Sequence, residues 1–549
     1  MSTMKKIFCQ VIIAFAVMLV AACSKNKEDV RPGNLPTYTN NAKSGVRIIG
    51  SGDLMVNNIR LTNWKESNFG EVAYPYPTPY FPTTGKFSGA YYLPQQFLNE
   101  NGEAIVKLYN LQGGSTNLID SFKVVEDYSQ PLDYYTGTSD DFTVTRVPRA
   151  VTAPVDPGHI RIRLVNLSQS ASDNGTERLS LAYADGSIVN NITSGIANHK
   201  WSDYIELPYG TYQFKVLVDG KSNQIPGKPP VLTAASSYGD FSLSQSQVYY
   251  APVQTYQPGG VYSIAVAYST GYQYADSPLP TNCFSVINDV EPPVNVTYGR
   301  VQAINAANEN GLKLQIDGIE AGSVGYGLAG DYSTVIKGTH NFKFADASGR
   351  GIAEISYTIN GGDNLSLWVY ETANGNAEVI PVQNNMTGLR MINTNPDGSD
   401  NGLGIYDPLK FGMLLQTRFL NLCPDLPYVT FTANNGMLFS DDRFTSAALA
   451  AQNLQPGKVA AQTVVPYPYV NMGYVTGGTV NAYRSQPGVV PGDRLTNIKA
   501  LTPADFVKMP SSFFNNGNFG SEPGIYTVAL IGRNNGGRQS KMIVVKHNR

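Results

Sequence analysis

Arg163-Leu164-Val165-Asn166 and Arg418-Phe419-Leu420-Asn421 share one pattern, an arginine, two apolar residues and an asparagine, and Arg390-Met391-Ile392-Asn393 repeats it. Val301-Gln302-Ala303-Ile304-Asn305 is a looser copy. A strand with an apolar inward face, ending in an asparagine-initiated turn, accounts for the spacing without chemistry. A second unit also recurs, Gly210-Thr211-Tyr212-Gln213-Phe214-Lys215 beside Gly338-Thr339-His340-Asn341-Phe342-Lys343, with a glycine turn and alternating rings entering one face. The third is a glycine-rich turn feeding a strand, at Pro258 to Ile264, Gly361 to Leu367 and Pro523 to Ala529. Three shared units in one order imply duplicated sandwiches.

Composition agrees. With 53 glycines, 34 prolines, 34 tyrosines and only 15% charged residues in 549, short strands joined by turns are favoured over amphipathic helices. The length suits about three to five domains. The expected fold is all-β, a tandem array of immunoglobulin-like β-sandwiches. Short helical insertions are expected in the last domain, at Thr445 to Leu454 and from Thr502 to Lys508, where Thr502 caps and Pro503 takes the first helical position. Proline-rich linkers at Val151 to Gly158 and Asp289 to Pro293 divide the chain. The division is a signal peptide at 1–22, a tether at 23–44, a diverged sandwich at 45–150, sandwiches at 151–297 and 298–388, and a last sandwich with insertions at 389–549.

Several stretches resemble domain of unknown function 4397, a small secreted β-sandwich family of Bacteroidetes-type envelope lipoproteins. They are Asn421-Leu422-Cys423-Pro424-Asp425-Leu426-Pro427, Asn434-Asn435-Gly436 and Tyr526-Thr527-Val528 in the last domain. Asn166-Leu167-Ser168, Asp185-Gly186 and Gly210-Thr211-Tyr212 carry it in the second, and Asp317-Gly318 and Gly338-Thr339 in the third. The resemblance covers most of residues 159 to 549, with Cys423 in place of the usual serine, and is poor over 45 to 150. It implies a fold and an envelope setting; no activity or functional residue comes with it.

The N-terminus supplies the address. Lys5 and Lys6 precede an apolar run from Val11 to Val20, the size of a signal-peptide core. Leu19-Val20-Ala21-Ala22-Cys23 resembles the lipobox of bacterial lipoprotein precursors, which implies cleavage before Cys23 and its acylation with chains such as palmitate. Ser24 stands where aspartate would retain a Gram-negative lipoprotein in the inner membrane, so the outer membrane is expected. Lys27-Glu28-Asp29 looks like an export signal to the cell surface and reads equally as a charged tether.

Net charge of −2, with no basic cluster, offers nothing to nucleic acid. In the mature chain Cys283 and Cys423 lie in different domains and are expected as separate buried thiols. The four histidines are scattered, and Gly220-Lys221-Ser222 lacks the first glycine of a phosphate loop. The paired acids Asp140-Asp141 and Asp441-Asp442 point to opposite faces of a strand, so neither pair alone makes a glycosidase dyad. A glycan-active enzyme would need Asp141 or Asp442 to meet a distant acid. Asp397, Ser399 and Asn401 alternate oxygen side chains as in a calcium loop, with Asp407 near its end. Pro408, however, stands where the closing glutamate belongs, and a polar turn is the competing reading. No cofactor is expected and no catalysis.

Tyrosine placement offers a binding surface. Tyr74, Tyr76, Tyr80 and Phe81 alternate with prolines, which cannot build a central ladder, and Tyr91 and Tyr92 follow. Such rings suit a polysaccharide face or an envelope protein, or they cover a small core from outside. A lipid-anchored, non-catalytic binding or adhesion protein is the leading expectation, a structural spacer its rival. Solvent-facing rings would favour the first and buried rings the second.

Overall fold

The computed structural model describes residues 43–50, 56–62, 71–73, 80–81, 90–112, 115–137, 143–167, 178–219, 231–234, 254–274, 277–290, 292–307, 310–384, 386, 389–394, 400–408, 415–439, 450–459, 470–471, 478–506, 524–535 and 539–549. It is nearly all β, with separate sheets in sandwich-like arrangement. Four apolar cores lie at residues 46–134, 160–266, 301–369 and 419–542.

One strand plan recurs around all four. The opening strands are Lys43–Ile49, His159–Leu167, Tyr298–Ala306 and Leu415–Asn421. Each runs parallel to the penultimate strand of its sandwich, respectively Leu132–Tyr135, Val261–Tyr274, Asn364–Glu371 and Gly524–Ile531. The penultimate strand is antiparallel to a closing strand, respectively Thr145–Pro148, Ser277–Val290, Ala377–Gln383 and Lys541–Lys546. A short strand flanks the opening strand on its other side, Tyr91–Pro94 in the first sandwich and Ser333–Ile336 in the third. Register is conserved to the residue across the parallel pairs: Arg47 lies opposite Asp133, Arg163 opposite Ser263, Gln302 opposite Ser366 and Arg418 opposite Thr527.

The first sandwich therefore follows the plan of the others despite its divergent sequence. Its second sheet, ordered Glu71–Ala73, Asn58–Thr62, Glu103–Gln112, Ser115–Val125, matches that of the third, ordered Ile319–Val324, Leu312–Ile316, Gly338–Ala345, Gly351–Ile359. The position of the repeated asparagine explains the divergence. The amides of Asn166, Asn305 and Asn421 tie later parts of the chain to the opening strand, donating to the carbonyls of Ile196, Val324 and Leu426. The first sandwich has Gly50 there, and a Cβ would collide with the Tyr80 carbonyl and the Phe81 ring that lie on it.

Where their side chains are described, the penultimate strands are buried on both faces, as parallel strands commonly are. In Gly524–Ile531 every residue is buried. Tyr526, Val528 and Leu530 enter the core of the fourth sandwich, while Ala529 and Ile531 enter a second cluster with Ile304, Trp368 and Ile380 of the third. The first and second sandwiches meet likewise through Ile49, Tyr135 and Val147 against Val165, Ala265 and Ile287. The sandwiches are thus locked in pairs, outer face to outer face, rather than strung out on linkers.

Several expectations change. Asp289, read as the start of a linker, ends the closing strand of the second sandwich and is buried between two sandwiches. Arg390-Met391-Ile392-Asn393 opens no sandwich; Leu389–Thr394 forms a hairpin with Asp400–Pro408, and the fourth sandwich opens at Leu415. Of the two expected helices, Pro503–Phe506 is a single 3-10 turn, with Asp505 accepting from the Thr502 backbone and hydroxyl. In the alanine-rich stretch, residues 450–454 form turns, with Leu454 bridged to Val429 and Asn453 at a φ of 50°, a left-handed conformation that no helix continues. Residues 445–449 lie outside the described residues.

Candidate functional site

The first-domain aromatics divide by burial. Tyr80 and Phe81 are each 3% exposed and belong to the core, so they cannot stack on a ligand. The preceding segment is proline-rich, yet once past it the chain turns inward over Gly50, where the two rings fill the space a side chain would take. Tyr91, 42% exposed, meets the edge of Tyr80 at 6.0 Å between centroids and sits on the edge strand of its sheet. Tyr92 is half-buried and ringed by cations: Lys43, Arg47 and Arg149 stand 5.4, 5.9 and 5.4 Å from its centroid. Tyr74 and Tyr76 lie outside the described residues, as do Cys23, Ser24, Lys27, Glu28, Asp29, Asp140, Asp141, Asp441, Asp442, Asp397 and Ser399. Asn401 and Asp407 fall within the strand Asp400–Pro408, with Asp407 paired opposite Arg390.

The densest chemistry lies between the paired sandwiches, where sequence reading did not look. Arg47 is buried, donating from Nε and Nη2 to the two carboxylate oxygens of Asp133 at 2.7 and 2.5 Å, and from Nη2 to Asp289 at 2.6 Å. Arg149 donates to Asp133. Asp289 also accepts from Ser263 and Tyr204, and Arg163 binds Ser263 and the Pro148 carbonyl. Burial alone would discourage charge on Arg47, but the two aspartates more than compensate and raise its pKa. Burial first, and Asp289 second, push the Tyr204 phenol up.

The same positions meet between the third and fourth sandwiches with different side chains. Arg418 donates to Asn384, which donates to Ser366. His547 lies 2.8 Å from Thr527 through Nε2 and 3.3 Å from both Gln302 and Tyr332 through Nδ1. Burial, reinforced by Arg418, pushes its pKa down to about 3, so His547 is neutral. In both pairs the opening-strand residue of one sandwich reaches the end of the closing strand, or the residue just past it, in the other. Arg47 reaches Asp289 and Arg163 reaches the backbone beside Arg149; Arg418 reaches Asn384 and Gln302 reaches His547. This reciprocity is that of an isologous interface.

A third contact joins the pairs. Arg300, buried, lies over Tyr332 and Tyr209 at 4.7 and 5.5 Å and donates to Thr211 and Asn364. Burial lowers its pKa. The Gln213 amide donates to the Arg549 carbonyl, and the Arg549 amide to Thr211, so the end of the fourth sandwich lies along the second.

The remaining candidates stay apart. His159 pairs with Asp156, His199 with Thr145, and His340 with both Asp317 and the Ile336 carbonyl. Among the described residues no three potential ligands gather as a metal site. Cys423 is a buried free thiol, its pKa raised by burial and then by Asp425.

The sequence signal that could have revealed the junctions is the unbroken apolar run Val528 to Ile531, since a strand apolar at successive positions needs cover on both faces. The chain matches no family model and no curated protein.

Proposed function

We propose that this chain is a lipid-anchored cell-envelope protein, held by Cys23 at the outer membrane and exposed at the cell surface, whose four sandwiches form a non-catalytic binding or adhesion module for polysaccharide or a neighbouring envelope protein. The pairing of the sandwiches carries this reading. A chain selected only to span distance gains nothing by folding its domains against one another, since pairing shortens its reach. A binding module gains a fixed frame, because ordering costs are met before the partner arrives. The recurrent strand plan supports a tandem array built from one kind of sandwich. The lipobox fits anchoring by acyl chains.

A second reading, a structural envelope component without a ligand, is favoured by the burial of Tyr80 and Phe81. Two measurements test the setting and a third separates the readings. Wild-type protein should enter the detergent phase on phase separation and Cys23→Ala the aqueous phase; an aqueous wild type removes the anchor. Protease added to intact cells should degrade the protein, and complete protection assigns it to the periplasmic side. Tyr91→Ala should weaken retention on a cognate polysaccharide or envelope fraction about tenfold, the effect of losing roughly 1.4 kcal/mol at one aromatic contact. Undiminished retention across polysaccharide panels favours the structural reading.

A further inference from the structure

Exposed apolar side chains gather where the described chain begins. The Gly45 amide donates to Glu126 at 2.6 Å, and Arg149 donates to the Gly45 carbonyl and, through its amide, to Pro131. These contacts bring Lys43 beside the turn that carries Tyr128 and beside the connector that carries Val151. The connector then passes through Val155, whose amide donates to Glu206. At Gly158 it lies within 3.6 to 3.9 Å of Thr334 and Tyr298, measured from where a Cβ would be. Ile336 shares the outward side of its strand with Thr334, and the Lys337 amide donates to the Thr297 carbonyl, beside Val296. Val155 and Val294 are 91% and 85% exposed, and Tyr128, Val151, Val296 and Ile336 each expose more than half of their surface. The first two of the three connectors between sandwiches are thus apolar at this end, where ordinary connectors are polar.

We infer that this end of the molecule, built on Tyr128, Val151, Val155, Val294, Val296 and Ile336, is a docking face for the lipid surface. The inference rests on acylation of Cys23. From Cys23 to Lys43 the chain can span at most about 70 Å in any conformation, so the anchor holds Lys43, and the face beside it, near the bilayer. Apolar side chains on connectors seat in the interfacial layer, and a tyrosine suits its polar boundary. Asp127 and Asp156 accompany Lys43 and Lys337, so apolar contact rather than net charge drives docking, and zwitterionic lipid suffices.

The test uses the full acylated protein on phosphatidylcholine vesicles, with Val294→Cys or, as control, Val489→Cys carrying an environment-sensitive fluorophore. Nitroxide-labelled lipid should quench the probe at 294 several-fold more than the probe at 489. A Val155→Asp/Val296→Asp variant, altered only at exposed positions, should still float with vesicles but lose that difference. Equal quenching at both positions in floating protein overturns the docking face and leaves the anchor standing. Protein that does not float overturns the anchor, and the docking face with it.

Discussion

The two junctions occupy equivalent positions and solve the same problem with opposite chemistry. Between the first and second sandwiches, Arg47, Arg149 and Arg163 share Asp133 and Asp289; at the centre of the contact between the third and fourth, Gln302, Ser366, Asn384, Thr527 and a neutral His547 surround Arg418, and the ion pair of Arg533 with Glu371 lies at its edge. Around both, the apolar positions are also equivalent, Ile49 and Val165 in one corresponding to Ile304 and Leu420 in the other. The strand plan thus sets where a polar cluster must sit, and the residues there can be ionic or neutral provided that each finds a partner.

The comparison can be broken most easily at its charged end. Arg47→Ala leaves Asp133 and Asp289 buried with fewer counter-charges and should cost about 3–5 kcal/mol, read as lowered melting temperature and new proteolysis between the first two sandwiches. Gln302→Ala at the equivalent neutral position should cost about 1–3 kcal/mol, the range for leaving buried polar partners unsatisfied. Equal losses from both would show that charge does not distinguish the junctions.

Acid should act on the neutral junction. Folded His547 resists protonation down to about pH 3, whereas an unfolded histidine takes its proton near 6.5. Its contribution is therefore complete above about pH 6.5 and is lost as pH falls towards 3, at up to about 1.4 kcal/mol per pH unit. His340 acts with the opposite sign: burial disfavours its charge, but Asp317 and the Ile336 carbonyl outweigh burial and raise its pKa, so its contribution is present at low pH and fades on alkalinisation. Chemical denaturation of wild type and His547→Gln between pH 7 and 4.5 isolates the first effect, and the variant should show the shallower slope. A parallel slope would mean that His547 is not neutral in the fold.

The smallest effect belongs to exposed pairs. Lys343→Gln, which breaks a 3.7 Å contact with Glu354 on an open sheet face, should change stability by less than about 1 kcal/mol, and less still in high salt. A larger loss would place that face in an interface.

Sequence periodicity made the fold class legible, because the recurrent glycine turns fall on three penultimate strands, Val261–Tyr274, Asn364–Glu371 and Gly524–Ile531. The plan of the first sandwich was hidden by Gly50, since the asparagine that marks the other opening strands serves a loop that Tyr80 and Phe81 replace. Asp289 was misread because a charge before two prolines resembles a solvated connector, and its partner Arg47 lies 242 residues away. The arginine of the repeated motif, Arg163 and Arg418, lies on the outward face of its strand, and another sandwich covers that face.

That separation bears on how the chain matures. Arg47 waits 242 residues for Asp289, and Gln302 waits 245 for His547. At a synthesis rate of roughly 5–20 residues per second, each waiting interval lasts on the order of 10 to 50 seconds. During it the first sandwich of each pair can form its own core but shows a half-made polar patch ringed by apolar side chains, the surface that chaperones bind and that aggregates form from. The pairs are therefore the larger units of maturation: a nascent chain halted after one sandwich exposes its whole junction face, and one halted after two exposes only the face that Arg300 and Arg549 later cover.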